Sequence, residues 1–170
     1  MHDHQIQLWQ RAASFAARYH DGQYRKDRKT PYVAHPFRVA LIVRQIFEVN
    51  DPIAIAASLM HDLIEDTTAD YDNINKEFGA EVADIVAVLT KDMRLKNAIR
   101  EQTYDKHLAE ACWQAKLIKL ADVYDNICDS TDQSMRDKAK EKAVRAIAIA
   151  GDNPRLANAV EQVRSLLQIP

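Results

Sequence analysis

The sequence predicts an all-α fold in which residues 1–170 form a single domain. The chain contains only three glycines, alanine is abundant, and apolar residues recur at intervals of three and four positions. No segment shows the alternation that is typical of a strand, and no repeat, low-complexity tract or long linker divides the chain. A length of 170 residues with 47% hydrophobic content is sufficient for one core.

The helices of the first half are bounded by recognisable start and stop signals. Asp21-Gly22 ends the first helix, and Asn50-Asp51-Pro52 starts the third, because proline is favoured at the first helical position. In chain order, the predicted elements are a helix over residues 6–19, a polar loop over 25–31, a helix over 32–47, a helix that carries Ile55, Leu59 and the string from His61, and a connector over 67–73.

The second half is punctuated by Gly79, by Ser130-Thr131 and by Gly151. Its predicted elements are a short helix over residues 71–78, a helix over 80–90, a mobile polar loop over 91–101, one long helix over 104–129, a helix over 135–150, and a last helix that ends near residue 167. In the long helix, apolar residues from Leu108 onward follow a three-to-four spacing that includes Cys112. Asp122 therefore falls on or beside the buried face.

Composition and charge exclude several classes of function. The net charge of −2 creates no global field that would recruit nucleic acid or an anionic membrane. No uninterrupted apolar run is longer than the five residues of 39–43, and the amino terminus lacks the features of a signal peptide. A cytoplasmic protein with no nucleic-acid or membrane partner is therefore expected. Cys112 and Cys128 are too far apart for a CxxC motif and are expected to be reduced.

The strongest chemical signal is the string His-Asp-Leu-Ile-Glu-Asp at residues 61–66. Adjacent helical residues diverge by about 100°, so His61 and Asp62 can share one metal ion only if it lies between their two directions. Glu65 and Asp66 then lie one turn further along the helix, about 5–6 Å away. That spacing suits a carboxylate acting on water beside the metal.

Two more residues, His35 and Asp122, are available to complete such a site. A single buried histidine is more often a hydrogen-bonded core residue than a metal ligand, so His35 alone indicates little. The combination is more informative, because several acidic residues beside an apolar helix face are costly to bury without a cation. Asp122 also has Lys119 before it and Asn126 after it on the same predicted helix. A metal site is the favoured interpretation.

Several short sequence motifs follow one another between about residue 15 and residue 126. They are His20-Asp21-Gly22-Gln23-Tyr24-Arg25-Lys26, Thr30-Pro31-Tyr32-Val33-Ala34-His35-Pro36, His61-Asp62-Leu63-Ile64-Glu65-Asp66-Thr67, Glu77-Phe78-Gly79-Ala80-Glu81-Val82, Leu89-Thr90-Lys91, and Lys119-Leu120-Ala121-Asp122 with Asn126. This ordered set resembles the HD phosphohydrolases, and more narrowly the small alarmone hydrolases that match the hydrolase domain of the Rel/Spo family. An HD pair alone is a weak signal, whereas the ordered set is specific.

The resemblance implies an HD-type helical bundle in which one divalent ion, usually manganese, is held by His35, His61, Asp62 and Asp122. Residue chemistry supports such a site independently. Two nitrogen and two carboxylate ligands leave coordination positions open for water and a phosphoryl oxygen, whereas a closed structural zinc site would prefer thiolates. This ligand set admits Mn, Fe, Co or Zn.

The resemblance also implies a reaction and the residues that perform it. Glu65 and Asp66 would orient or deprotonate the attacking water. Arg25 and Lys26 would bind the phosphates of the substrate, and Asn126 would lie near the ribose or the 3′ phosphate. The implied reaction removes pyrophosphate from the 3′ position of guanosine tetra- or pentaphosphate, which is a small-molecule nucleotide.

The loop over residues 25–29 holds four cations among five positions. Such a loop is ordinarily a solvated surface segment. This one lies ten residues or fewer before His35, so its cations can stabilise the charge of a pyrophosphate leaving group. Arg25 and Lys26 are therefore favoured as functional residues, and Arg28 and Lys29 are expected to be exposed.

Three departures from the family pattern leave the choice of base open. Arg28-Lys29 stands where the loop often contains glycine, Val123 stands where a basic residue is common, and Cys128 stands where arginine is frequent. None of these changes replaces a metal ligand. Guanosine and adenosine alarmones are therefore alternative substrates.

Other classes of function predict different features. A general HD nucleotidase would share the metal ligands but would not need the Arg25-Lys26 word or Asp66 beside Glu65. A catalytically inactive nucleotide-binding module would be expected to have lost a ligand or the acidic pair, and a structural adaptor leaves the buried charges unexplained. The residues therefore favour an alarmone hydrolase. The sequence carries no signal for an oligomeric state.

Overall fold

The fold is a bundle of helices joined by short connections, seen in a computed structural model that describes the backbone of residues 2–168 and the side chains of residues 7–168. The helices are α1 (His2–Tyr19), α2 (Ala34–Leu41), α3 (Pro52–Met60), α4 (Leu63–Asp66), α5 (Tyr71–Phe78), α6 (Ala80–Leu89), α7 (Asn97–Glu110), α8 (Trp113–Cys128), α9 (Gln133–Ala150) and α10 (Ala157–Leu167). A π-helical turn over Ile42–Ile46 extends α2, and a 3₁₀ turn over Pro154–Leu156 precedes α10. Over residues 2–168 there is no strand, only one isolated bridge between Tyr24 and Pro31.

Several helices begin at capping residues that the sequence supplies. The Asp51 carboxylate accepts a hydrogen bond from the backbone N–H of Ala54, and Pro52 occupies the first turn of α3. Asp70 and Asn73 form a reciprocal capping box at the start of α5. These contacts satisfy backbone donors that a helix amino terminus otherwise leaves unpaired. The predicted start at Asp51-Pro52 and the predicted helix over residues 71–78 are confirmed.

The core lies around α8, which packs against α2, α3, α6, α9 and α10. The buried side chains of α8 include Leu117, Ile118 and Leu120, all with no exposed surface. A second layer is formed by α3, which packs against α1, α2 and α6. Because α2, α3 and α8 contact one another, residues at their facing surfaces can converge on one point. No helix among residues 2–168 is long and apolar enough to span a bilayer.

The prediction of one long helix over residues 104–129 is wrong. Helix α7 ends at Glu110, and α8 begins at Trp113. The two residues between them are extended, with ψ values of 167° at Ala111 and 161° at Cys112. Apolar spacing continues across this break because each helix buries its own face, so periodicity alone does not reveal the break. Cys112 is consequently exposed and does not lie in the core.

Two further predictions need correction. The predicted mobile loop over residues 91–101 is shorter, since α7 already begins at Asn97. The string from His61 does not lie on one helix, because α3 ends at Met60 and α4 begins at Leu63. At this junction Asp62 has φ −97° and ψ −3°, which interrupts the regular helical geometry. The interruption rotates Asp62 relative to α3.

The loop between α1 and α2 is held by its own backbone and by Asp27. The backbone N–H of Arg25 donates to the Thr30 carbonyl at 2.8 Å. The Asp27 carboxylate accepts hydrogen bonds from the N–H groups of Lys29 and Thr30, both at 2.9 Å. Arg28 has a φ of 58°, in the left-handed region that favours glycine. The loop thus keeps a glycine-like turn without a glycine.

Candidate metal centre and active site

Two buried histidines face each other at the junction of α2 and α3. The His61 Nδ1 atom lies 2.8 Å from the carbonyl oxygen of Ser58. Since a carbonyl oxygen only accepts, Nδ1 carries a proton, and in the neutral ring Nε2 is the nitrogen with the free lone pair. The His35 Nδ1 atom lies 2.7 Å from the Asp125 carboxylate, which likewise leaves His35 Nε2 directed elsewhere. Nε2 is thus the nitrogen of each ring that would face a metal ion.

Asp62 brings carboxylate oxygens to both histidines. Its Oδ1 lies 3.1 Å from His61 Nε2, and its Oδ2 lies 3.5 Å from His35 Nε2. The ligand atoms of these three residues all lie within 4.8 Å of one another. The helix junction at Asp62 permits this approach, because adjacent residues of a regular helix point in directions about 100° apart.

Asp122 on α8 contacts this cluster through His35. Its Oδ1 lies 3.3 Å from His35 Nε2. Its Oδ2 accepts a hydrogen bond from Lys119 Nζ at 2.7 Å, and Oδ1 accepts one from Asn126 Nδ2 at 2.5 Å. Burial opposes ionisation, but Lys119 and His35 hold the pKa of Asp122 well below its ordinary value. The carboxylate is therefore ionised, as a metal ligand must be.

The residues of this cluster fit a divalent metal ion. The His61 Nε2 atom is buried and has no hydrogen-bond partner among the described residues. An unpaired polar atom in the interior is costly unless something else satisfies it. Nitrogen and carboxylate oxygen donors without thiolate are typical of catalytic metal sites that keep an open position. The structure thus brings three of the four predicted ligands, His35, His61 and Asp62, to one point, and Asp122 contacts His35 beside them.

Glu65 and Asp66 lie on the short helix α4 directly after the ligands. Glu65 is partly buried, and its carboxylate accepts a hydrogen bond from the backbone N–H of Lys91 at 2.9 Å. Burial raises the pKa of Glu65 above its ordinary value, although the contact with Lys91 opposes the rise. Asp66 is exposed. A carboxylate with a raised pKa beside a metal cluster is suited to accept and return a proton near neutral pH.

Tyr32 connects the ligands to this acidic pair. Its hydroxyl oxygen lies 2.7 Å from Asp62 Oδ2 and 2.8 Å from Asp66 Oδ2. Burial and the two carboxylates raise the pKa of Tyr32, so the hydroxyl keeps its proton. One proton can serve only one of the two carboxylates at a time. Sequence reasoning quoted Tyr32 as part of a word but assigned no role to it.

The structure places Arg25 against the carboxyl end of α8. The Arg25 guanidinium donates to Asp129 Oδ2 through Nε at 3.0 Å and through Nη2 at 2.8 Å. Its Nη2 also lies 3.3 Å from Asn126 Oδ1. Arg25 and Asn126 are therefore neighbours. Lys26 is exposed and makes no ion pair within residues 7–168.

A cleft of about 370 Å³ opens beside Arg25 and Asn126. Its walls are the loop at residues 25–27, the end of α8, and α9. Helix α9 contributes three cations, which are Lys138, Lys142 and Arg145. Buried Val123 also lines the cleft, at the position where the family pattern often has a basic residue. The opening is large enough for part of a nucleotide and carries cations for its phosphates.

Sequence reasoning missed Arg38, Asp125 and Asp129. Asp125 is 3% exposed and contacts both His35 and Arg38. A signal for two of them was present, because Asp122, Asp125 and Asp129 are spaced three and four apart and therefore share one helix face. The cations of α9 gave no comparable signal, since they belong to a helix whose packing was unknown.

An all-helical fold that converges histidines and aspartates on one buried point defines a class of helical proteins with a candidate divalent-metal site. Within this class, the chain belongs to the HD domain family, which matches residues 12–149. The family predicted from the ordered sequence words is confirmed, as is the all-α fold.

Relatives and a solved structure extend the comparison. The chain is 42% identical over 117 residues to the guanosine-3′,5′-bis(diphosphate) 3′-pyrophosphohydrolase MESH1 of Danio rerio, and the alignment covers 68% of this chain and 65% of the relative. For the MESH1 protein of Homo sapiens, the identity is 39% over 119 residues, covering 69% and 66%. The match thus spans just under two thirds of these curated relatives. A solved structure, described as a metazoan ortholog of SpoT that hydrolyzes ppGpp and plays a role in starvation responses, superimposes with a TM-score of 0.82 at 31% identity, covering 94% of this chain and 93% of that chain.

Proposed function

We propose that the protein is a metal-dependent hydrolase that removes the 3′-pyrophosphate from guanosine tetra- or pentaphosphate, giving GDP or GTP and pyrophosphate. The observation that carries this proposal is that direct contacts link three groups to one another. These groups are the His-Asp cluster, the acidic pair on α4, and Arg25 with Asn126 at the cleft. The names of the relatives and of the structural neighbour support the same reaction.

His35, His61, Asp62 and Asp122 would hold one divalent ion, for which we propose Mn²⁺. Such an ion supplies a Lewis acid for a phosphoryl oxygen and a lowered pKa for water. Neighbouring residues orient these side chains and keep Asp122 ionised. Ser58 and Asp125 fix the orientation of the two imidazole rings, and Lys119 keeps Asp122 ionised.

Glu65 and Asp66 would manage the proton of the attacking water. Glu65 is the better proton acceptor of the two by position, because it is partly buried and its carboxylate is fixed by Lys91. Asp66 shares the Tyr32 hydroxyl with Asp62, so it would orient water beside the ligands. This division of roles follows from burial and hydrogen bonding on α4.

Arg25, Lys26 and Asn126 would bind the substrate, which we propose is a small-molecule nucleotide. The Arg25 fork is suited to a diphosphate group, and its neighbour Asn126 contacts a metal ligand directly. The cleft beside them would take the remainder of the nucleotide. Lys138 and Lys142 line this cleft without an ion pair among residues 7–168, so they are available for the 5′ phosphates.

A product analysis tests the proposal. Pure protein with Mn²⁺ is incubated with a panel of nucleotides, and products are identified by chromatography and mass spectrometry. We expect ppGpp to give GDP and intact pyrophosphate, with the 5′ diphosphate untouched. A faster reaction with the adenosine counterpart would change only the base. Release of single orthophosphate from nucleoside monophosphates, without attack on a 3′ pyrophosphate, would instead identify a nucleotidase.

Replacing Arg25 with alanine should lower turnover by roughly 10²–10³-fold, as expected when a group meets charge that develops in the transition state. The bound metal should be unchanged, since Arg25 touches no ligand directly. Steady-state kinetics and elemental analysis on the same sample measure the two quantities.

Arg28→Ala is the matched control for Arg25→Ala. Arg28 lies on the same loop, is exposed, and does not line the cleft. The Arg28→Ala protein should therefore retain near-parental turnover. Equal losses in the two variants would contradict a specific role for Arg25 and would indicate a general effect of loop charge.

A single domain over residues 1–170 and a cytoplasmic location stay predictions. The first is tested by cooperative thermal unfolding of the purified chain, which should show one transition.

A further inference from the structure

A row of alternating charges runs from the metal cluster to the loop that carries Arg25. Its first member after His35 is Asp125, whose Oδ2 lies 2.7 Å from His35 Nδ1. Arg38 then donates to Asp125 Oδ1 through Nε at 2.6 Å and to Asp125 Oδ2 through Nη2 at 2.9 Å. The contact is therefore bidentate, which is the geometry with the greatest directional specificity for these groups.

Arg38 also contacts the next carboxylate in the row. Its Nη2 lies 3.1 Å from Asp129 Oδ2. The same Asp129 oxygen accepts the two hydrogen bonds of Arg25. Asp129 is thus shared by two arginines, one from the loop and one from α2. Arg38 is the residue that contacts both the aspartate on His35 and the aspartate on Arg25.

Burial makes this arrangement consequential. The Asp125 side chain is 4% exposed, the Arg25 side chain is 16% exposed, and Arg38 and Asp129 are each 35% exposed. Removing one partner of a buried ion pair leaves an uncompensated charge and forces its neighbours to move. Asp125 lies in the last turn of α8, and Asp129 caps that helix with its backbone N–H on the Asp125 carbonyl, so one rigid element fixes their separation.

We infer that Arg38 is a positioning residue that couples the metal site to the phosphate-binding loop. Through Asp125 it fixes the ring of His35, and through Asp129 it fixes the fork of Arg25. Neither function requires Arg38 to touch metal or substrate. The half of this inference that concerns Arg25 rests on the proposed function, whereas the half that concerns His35 does not.

The inference predicts three separable phenotypes. Asp125→Ala should weaken Mn²⁺ binding by about 10–100-fold, as is usual for loss of a group that orients a metal-binding histidine, with little change in KM at saturating metal. Asp129→Ala should raise KM for ppGpp by about tenfold and leave Mn²⁺ affinity within about twofold, because it contacts Arg25 and not His35. Arg38→Met, which keeps side-chain length, should show both defects.

Arg44→Met is the matched control, since Arg44 follows in the same helical stretch and takes part in none of these contacts. Mn²⁺ affinity is measured by titration calorimetry on the metal-free protein, which needs no substrate. KM and kcat are measured with ppGpp, and binding of pyrophosphate to the metal-loaded protein gives a second readout. Circular dichroism and thermal unfolding establish that each variant is folded.

Conservative variants separate positioning from general stability. Asp125→Asn offers an amide oxygen to His35 Nδ1, so it should recover part of the Mn²⁺ affinity that Asp125→Ala loses. Arg38→Lys keeps the charge but not the fork, so it should recover less than half of either defect. A purely structural role would instead give losses that follow thermal stability in every variant.

Two results would overturn the inference. One is an Arg38→Met protein that is folded and binds Mn²⁺ and pyrophosphate as the parental protein does. The other is an Arg38→Met protein with only one of the two defects, because a coupling residue must affect both. If the protein fails to hydrolyse ppGpp at all, the proposed function fails, while the calorimetric titrations still decide the metal half of the inference.

Discussion

Changing His61 to alanine should abolish both the bound metal ion and hydrolysis. His61 Nε2 is buried and has no hydrogen-bond partner among the described residues, and a bound ion would satisfy it. Loss of one of the four proposed ligands also opens the site to water and removes the contact between His61 and Asp62. Elemental analysis of the purified variant gives the metal content, and product formation from ppGpp gives the activity.

A more conservative substitution is needed at Asp122 than at His61. Its carboxylate is paired with the nearly buried Lys119, and removing one partner of such a pair typically costs about 3–5 kcal/mol of stability. Asp122→Asn keeps the size of the side chain and one of its two acceptor oxygens but removes the charge, and it should lose the metal ion. His107→Ala, at an exposed position on α7, is the control. Full metal occupancy in the His61 and Asp122 variants would refute the ligand assignment.

Changing Glu65 to glutamine or Asp66 to asparagine should lower turnover by at least about 100-fold, with the metal still bound, since acid–base assistance typically contributes about 10²–10⁴ in rate. Both residues lie on α4, directly after His61 and Asp62 in the chain. Neither contributes an atom to the cluster of candidate metal ligands. Both changes are nearly isosteric, so the fold should survive. Single-turnover kinetics with the metal content measured in parallel separates the chemical step from metal loss.

The pH dependence provides a second test of Glu65. Because burial raises the pKa of Glu65, the active carboxylate form should be lost at a higher pH than an ordinary glutamate would allow as the solution is acidified. The acidic limb of the pH profile of kcat should therefore lie at a higher pH than for an ordinary glutamate. This limb should disappear in Glu65→Gln. Glu81→Gln, at an exposed site on α6, is the control and should leave the limb in place. Parental rates in both α4 variants would exclude the proposed activation of water.

The sequence predicted most of the helices because their boundaries carry local chemistry. The helix over residues 71–78 begins at a capping box and ends at Gly79, which has a φ of 86°. The break between α7 and α8 has no such marker, since Ala111 and Cys112 are compatible with a helix. Tertiary packing of α7 against α6 and α9 decides that break. Local propensity could not reveal it.

The site shows the same division between local and long-range information. Short sequence words predicted four ligands, and the structure clusters three of them, His35, His61 and Asp62, with Asp122 in contact with His35. The orientation of each ring did not follow, because it depends on Ser58 and Asp125, whose contacts with the histidines form only in the folded chain. The position of Asp129 was likewise hidden, since its partner Arg25 lies 104 residues away in sequence. Spacing along a helix shows which residues share a face, but not what lies opposite that face.

Helix α8 gives this protein a particular sensitivity to length changes. Asp122, Asp125, Asn126 and Asp129 are aligned only by the register of one helix. Insertion or deletion of a single residue just after Asp122 would rotate everything beyond it by about 100° and would remove Asp125, Asn126 and Asp129 from the site together. A comparable insertion between α6 and α7 would lengthen a connection and leave every ligand in place. Natural variation in chain length should therefore be tolerated between α6 and α7 and absent between Asp122 and Asp129.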